Sequence, residues 1–304
     1  MPSDRTQQQS SEQLERSKQL SLEKTQPPIS VPGYEMESFL GSGAYGEVWV
    51  ATDHNTGRKV AIKFYTHRGG VDWSLLSREV EKLVFLSTDR YVVQLLDVGW
   101  DSDPPYYVMD YLEHGSLDDR LDRDGSFSVP EAIDLFHELA NGLLHAHAKG
   151  VLHCDLKPAN VLLDQDDKPR LADFGQSRLS HEQTPSLGTL FYMAPEQADL
   201  AAVPDARWDV YALGAMVYCA LTGSPPHRSE DSVRSMDGAE SLNDRLSKYR
   251  RCLEQAPPAS THRKRPGMDK PLADIIDQCL AVNPKDRFAN IQEVLDALQR
   301  RDTS

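Results

Sequence analysis

Hydrophobic periodicity changes once along this chain, and the change limits the folds open to it. From Tyr34 to about residue 112, apolar residues alternate in short runs broken by turn-forming stretches such as "GSGAYG" and "DHNTG", the pattern of antiparallel strands with one buried face. One stretch there departs from it: "DWSLLSREVEKLVFLS" (72–87) brings Leu76, Leu83 and Leu86 to one side of a helix. The runs "VVQLLDVGW" and "PYYVMDYL" supply a further strand pair. Beyond residue 112 the spacing is helical in "VPEAIDLFHELANGLLHAHAKG", "ARWDVYALGAMVYCALTG" and "PLADIIDQCLAVNP", with Pro130 and Gly150 punctuating the first. Strands followed by helices predict an α+β chain, in one large domain or two lobes, with a small β-rich N-terminal part holding one helix and a larger, mainly α-helical C-terminal part. The expected boundaries are a polar, disordered tail over 1–33, the N-lobe over 34–112, the C-lobe over 113–300 and a short tail over 301–304. A polar, loop-like insert is expected at 227–270, with a weak helical pattern around "LNDRLSKYRRCLEQ".

Composition narrows the function. With 304 residues, 39% of them apolar, the chain is long enough for two well-buried cores. A formal net charge of −14 argues against nucleic acid and anionic membrane as partners, since both demand a basic surface. The four cysteines, Cys154, Cys219, Cys252 and Cys279, show none of the short pair spacings that close a zinc site. They read as reduced thiols, hence a cytoplasmic location. The N-terminus lacks the apolar core of a signal peptide, and the longest apolar run, "VYALGAMVYCAL", is too short to span a bilayer. A soluble chain without a membrane segment is expected.

The chemistry concentrates in "VLHCDLKPANVLLDQDDKPRLADFG" (151–175). If "VLL" (161–163) and "RLA" (170–172) pair across the turn between them, Asn160 and Asp173 emerge at the same end of a hairpin. An amide oxygen and a carboxylate then converge, as a hard cation such as Mg²⁺ requires. Asp155 and Lys157 lie on the loop leading to that end, where an acid can orient and deprotonate a hydroxyl and a lysine can offset phosphoryl charge.

A second group lies nearer the N-terminus. In "LGSGAYGEV" (40–48), Gly41, Gly43 and Gly46 let backbone N–H groups approach phosphates. No helix pattern follows, which argues against a dinucleotide-binding turn. The period of two in "KVAIKFY" puts Ala61 and Lys63 on one face. On the helix that follows, Glu79 shares the side of Leu76, Leu83 and Leu86, whereas Glu81 is about 200° round from it. An inward carboxylate needs a partner, and Lys63 is the obvious one.

These motifs, with "APE" and "DVYALG" following in order, resemble the eukaryotic-like, bacterial-type serine/threonine protein kinase family over about residues 34–298. The resemblance implies ATP and Mg²⁺ as cofactors and proteins with Ser/Thr acceptors as substrates. It implies that Lys63 holds the α- and β-phosphates and pairs with Glu79, that Asp155 is the catalytic base, that Lys157 meets the γ-phosphate, and that Asn160 and Asp173 hold the metal. The nucleotide site would further comprise Leu40, Gly41, Ser42, Gly43, Gly46, Val48, Ala61 and Leu162. Met109 would be the gatekeeper, with Asp110, Tyr111 and Leu112 forming the hinge. Thr189 in "GTLFYMAPE" would hydrogen-bond the catalytic Asp and Lys. Glu196 with Arg287 would form a structural ion pair, and Asp209 would brace the catalytic loop or, equally, cap a helix. The alternative readings are a catalytically weak, pseudokinase-like scaffold and a small-molecule kinase. Against the first, every catalytic residue type is present; against the second, the "GTLFYMAPE" platform suits an extended peptide.

Two features depart from the family pattern or stand outside it. Cys154 occupies the position where most of the family has Arg. A thiol forms no bidentate bond to phosphate, so activity without phosphorylation of 176–189 is expected, even with Thr184 and Ser186 as acceptor sites; the alternative is that another cation such as Arg178 receives the phosphate. The second feature is a basic stretch, Arg245, Lys248, Arg250, Arg251, Arg263, Lys264 and Arg265, which reads as a solvated surface or as a docking patch for an acidic or phosphorylated partner.

Overall fold

The structure, a computed structural model, describes residues 26–43, 46–65, 73–174 and 187–303. The described chain divides into two compact units. The first runs to Val80 and takes in Gln94–Tyr111; the second comprises Glu81–Val93 and everything from Leu112 onward.

The first unit is built on a five-stranded antiparallel sheet. Its strands are β1 (Tyr34–Gly43), β2 (Gly46–Asp53), β3 (Lys59–Tyr65), β4 (Leu95–Gly99) and β5 (Tyr106–Asp110), in the order β1-β2-β3-β5-β4. Alternation assigns each face a task. Trp49, Ala51, Val60, Ile62, Phe64, Tyr106 and Val108 form the core on one face. Register brings two rows to the other: Val48 opposite Lys63, itself opposite Tyr107, and Val50 opposite Ala61, itself opposite Met109. The expected disordered tail extends too far. Val31 is buried and Ile29 packs against the same core, because these alternating apolar residues have the Trp49 face to bury against. Residues 1–25 lie outside the described chain.

The helix α1 (Trp73–Leu86) follows β3. Leu76, Glu79, Val80, Leu83 and Leu86 are buried and Glu81 is exposed, the side that the sequence spacing predicts.

In the second unit, α2 (Leu117–Asp124) and α3 (Val129–Ala148) both begin with capping boxes. At α3, Ser128 Oγ accepts the Glu131 N–H and the Glu131 carboxylate accepts the Ser128 N–H, with Pro130 in the first turn. The hairpin strands β6 (Val161–Leu163) and β7 (Pro169–Leu171) pair Val161 with Leu171, so the second strand runs one residue earlier than the expected 170–172. After the single turn α4 (Leu187–Leu190), helix α5 (Ala206–Thr222) is buried on all sides from Trp208 to Leu221, as an all-round apolar helix must be. At Gly214 an added Cβ would meet the Cys279 Cβ at 2.6 Å, so glycine is what lets the next layer close on α5. That layer includes α8 (Lys270–Cys279) and α9 (Ile291–Asp302), preceded in sequence by α6 (Glu230–Asp237) and α7 (Leu242–Gln255).

Helix α7 coincides with the weak helical pattern in the expected insert, whereas α6 corrects its loop-like reading. Their surfaces are polar, which weakened the periodicity, but Met236, Leu246, Tyr249 and Leu253 are buried, and the Tyr249 hydroxyl donates to the Met193 carbonyl. Among the described residues no helix is long and apolar enough to cross a membrane. All four cysteines are free thiols.

Candidate active site

In the first unit the sheet face opposite the core carries a buried charge cluster. Lys63 Nζ donates to Glu79 Oε1 at 2.8 Å, and the Tyr107 hydroxyl donates to the same oxygen at 2.8 Å. The Tyr65 hydroxyl donates to Oε2. Two phenols and an ammonium thus satisfy one desolvated carboxylate, and both rings also lie 5.7 Å from Lys63 Nζ. The ion pair was legible in the sequence. The tyrosines were not, although Tyr107 stands two residues before Met109 on the same face.

The rest of that face is apolar. Val48, Ala61 and Met109 adjoin Lys63 through the strand register. Leu40 sits at a register shift between Phe39 and Gly41 and is 48% exposed. Gly41, Ser42 and Gly43 continue β1 to its pairing of Gly43 with Gly46, and the Asp110 N–H is engaged by the Gln94 carbonyl at 3.0 Å. An apolar wall beside a lysine-bearing row can seat a flat ring and hold an attached anion.

In the second unit the catalytic-loop residues converge as the hairpin argument requires. Lys157 Nζ donates to Asp155 Oδ2 at 2.8 Å, and Asn160 Nδ2 donates to the Asp155 carbonyl at 2.8 Å and to Oδ2 at 3.1 Å. The Asn160 amide nitrogen is thereby committed to Asp155, which leaves its Oδ1 as the donor it can offer a cation. Across the hairpin the Ala172 N–H donates to the Asn160 carbonyl at 2.9 Å, so Asp173 follows directly at the same end. An amide oxygen and a carboxylate form the hard donor set that fits Mg²⁺. Leu162 is half-buried on β6, Leu112 begins the longer segment of this unit, and Thr189 is half-buried in α4.

The loop is held from below. The Asp209 carboxylate, fully buried on α5, accepts the His153 N–H at 2.9 Å and the Cys154 N–H at 2.8 Å, with His147 Nε2 2.7 Å from Oδ2. Of its two expected roles Asp209 takes the brace. Burial alone would push its carboxyl up; the hydrogen bond and charge of His147, with the loop N–H groups, outweigh burial and hold it below the usual carboxylate range. His153 is also fully buried, and burial pushes its imidazole down against the pull of Asp209, Asp155 and Asp173. Cys154 has φ 63°, its carbonyl accepts from Gln197 Nε2 at 3.0 Å, and burial pushes its thiol up. The thiol is therefore neutral.

Glu196 and Arg287 form the expected pair, bidentate at 2.6 and 2.8 Å. Three of the seven cations of the basic stretch pair with acids within the chain, and a fourth donates to a carbonyl. Arg263 pairs with Asp274 and Asp277, Lys248 with Asp244, Arg250 with Glu254, and Arg265 donates to the Phe127 carbonyl. Thr184, Ser186 and Arg178 lie outside the described residues.

The protein kinase domain family matches residues 34–298. The chain is 30% identical over 284 residues to the serine/threonine-protein kinase PknB of Mycobacterium leprae, covering 89% of this chain and 43% of that protein. It is 28% identical over 275 residues to a probable serine/threonine-protein kinase of Clostridium acetobutylicum, covering 87% of this chain and 39% of that protein. To the DNA damage-responsive serine/threonine-protein kinase RqkA of Deinococcus radiodurans it is 40% identical over 205 residues, covering 64% of this chain and 30% of that protein. The chain thus spans well under half the length of these curated relatives.

Proposed function

The chain belongs to the protein kinase domain family, on its bacterial serine/threonine side, and from that premise we propose that it transfers the γ-phosphate of ATP to Ser and Thr hydroxyls of protein substrates in the cytoplasm. The observation that carries the reading is the convergence of Lys157 and Asn160 on Asp155 at the end of the hairpin where Asp173 emerges. In this reading Asp155 orients the acceptor hydroxyl and takes its proton, and Lys157 offsets charge on the phosphoryl group. Thr189 supports that pair. Lys63, fixed by Glu79, holds the α- and β-phosphates. Gly41, Ser42, Gly43 and Gly46 cover them with backbone N–H groups. Leu40, Val48, Ala61 and Leu162 enclose the adenine ring beside Met109, and the backbone of Asp110 and Leu112 reads its edge. Asn160 and Asp173 hold Mg²⁺, which when bound neutralises phosphate charge.

The reading extends to control. A neutral, half-buried thiol at Cys154 supports activity without phosphate on the activation segment, since no uncompensated cation at that position awaits one.

Incubation with ATP, Mg²⁺ and a generic basic protein, followed by phosphoamino-acid analysis, is expected to yield phosphoserine and phosphothreonine. Lys63→Met and Asp155→Asn each lower the rate by roughly a hundredfold or more, about 3 kcal/mol of lost transition-state stabilisation, with cooperative melting retained. Nucleotide binding without transfer by the wild type would sink the catalytic reading in favour of a scaffold. Phosphatase-treated wild type and a Thr184→Ala/Ser186→Ala variant are expected to keep initial rates within tenfold of the untreated protein; a larger loss in both removes the proposed independence from phosphate.

A further inference from the structure

The DFG segment is gripped on both sides of its metal-binding aspartate, and one grip comes from a residue that the motifs do not include. Asp173 has φ 57°, in the left-handed region, which is costly for a side-chain-bearing residue and persists only where neighbours dictate it. Upstream, the Ala172 N–H is tied to the Asn160 carbonyl at 2.9 Å. Downstream, the Phe174 side chain is fully buried with its ring centroid 4.7 Å from that of His153, and Lys82 Nζ donates to the Phe174 carbonyl at 2.7 Å. A lysine on a helix ordinarily carries its ammonium into water. Lys82 is instead half-buried and spends a charged donor on one backbone oxygen beside the metal-binding residue.

We propose that Lys82 is a positioning residue: by clamping the Phe174 carbonyl from α1 it holds Asp173 in its metal-binding orientation. The ammonium fixes the direction of the Phe174 carbonyl it engages, so the backbone on both sides of Asp173 is constrained before any nucleotide arrives. Replacing the ammonium by a methyl-terminated chain of similar length keeps the packing and removes the clamp. Asp173 then samples other orientations, and the metal rather than the nucleotide loses affinity. The inference rests on the kinase reading.

The test is a Mg²⁺ titration of fluorescent ATP-analogue binding, run beside the same measurement in EDTA. Lys82→Met is expected to raise the Mg²⁺ concentration for half-maximal enhancement of binding tenfold or more, to leave analogue affinity in EDTA within twofold of wild type, and to lower kcat/KM for MgATP at least tenfold. Lys82→Arg restores the Mg²⁺ midpoint to within threefold. An unchanged midpoint in Lys82→Met, an equal loss of affinity in EDTA, or an Arg variant no better than Met overturns the proposal. If Lys82→Met does not melt cooperatively, Lys82→Gln replaces it under the same criteria. Binding needs no transfer, so a wild type that binds Mg²⁺ and nucleotide but phosphorylates nothing would sink the catalytic reading and leave Lys82 to be judged on the titration.

Discussion

Two buried ion pairs, one in each unit, look alike and are built differently. In the first unit Lys63 reaches Glu79 through one contact at 2.8 Å, and the carboxylate is further served by Tyr107 and Tyr65. In the second unit Arg287 binds Glu196 through two parallel bonds and also donates to the carbonyls of Ala281, Val282 and Arg207, with its guanidinium 5.0 Å from the Tyr211 ring centroid. The arginine ties two stretches of backbone and the Glu196 side chain together. The lysine is a compact charge held ready by an anion that has other donors. The difference separates a pair that maintains a fold from one that aims a charge.

The hardest test of that contrast is removal of each cation in turn. Arg287→Ala leaves a carboxylate and three carbonyls without their donor, and the expected loss is about 3–5 kcal/mol in urea unfolding. Lys63→Met leaves Glu79 its two phenols, so its stability cost should be less than half as large while its activity disappears. Equal destabilisation by the two variants would break the comparison.

Acid sharpens it at a smaller scale. His153, His227 and His262, all in the second unit, are pushed by burial below the usual histidine pKa. The unfolded chain protonates near pH 6.5 while these folded imidazoles stay neutral. Stability therefore falls as pH drops below about 6.5, by up to about 1.4 kcal/mol per pH unit for each histidine. Thermal melts from pH 7.5 to 5.5 should show the second unit weakening, with a shallower slope in His227→Asn, a residue type that tolerates the φ of 62° there. A melting temperature independent of pH over this range would contradict the assignment.

The smallest expected effect is that of Tyr107→Phe, which removes one of the donors to Glu79. A hydrogen bond to a charged group contributes about 1.5–3 kcal/mol, and the remaining Lys63 and Tyr65 contacts place the loss at the low end. The rate should fall less than tenfold. A hundredfold fall would mean that the phenol, and not the ion pair, aims the lysine.

Much of this was legible in the chain because the relevant rules are local. Strand alternation put Ala61 and Lys63 on one face, helical spacing turned Glu79 inward and Glu81 outward, and the short hairpin brought Asn160 and Asp173 to one end. What stayed hidden depended on tertiary context. Helices α6 and α7 bury few apolar residues each and so carry weak periodicity. Val31 packs only because Trp49 and Ile62 present a face for it, and a tail rich in Gln, Ser and Glu masks it. Tyr65 and Lys82 carry no motif; their partners, Glu79 and the Phe174 carbonyl, lie far away in sequence, at separations of 14 and 92 residues.

The brace beneath the catalytic loop has a consequence for how such a protein diversifies. Asp209 grips His153 and Cys154 by their backbone N–H groups, which every residue type except proline possesses. The position of Asp155 is therefore insulated from the identity of the side chain at 154, provided that side chain tolerates a left-handed backbone. On the proposed reading, a guanidinium that pairs with phosphate can give way to a neutral thiol at this position in a single substitution, changing the control of the site without moving Asp155.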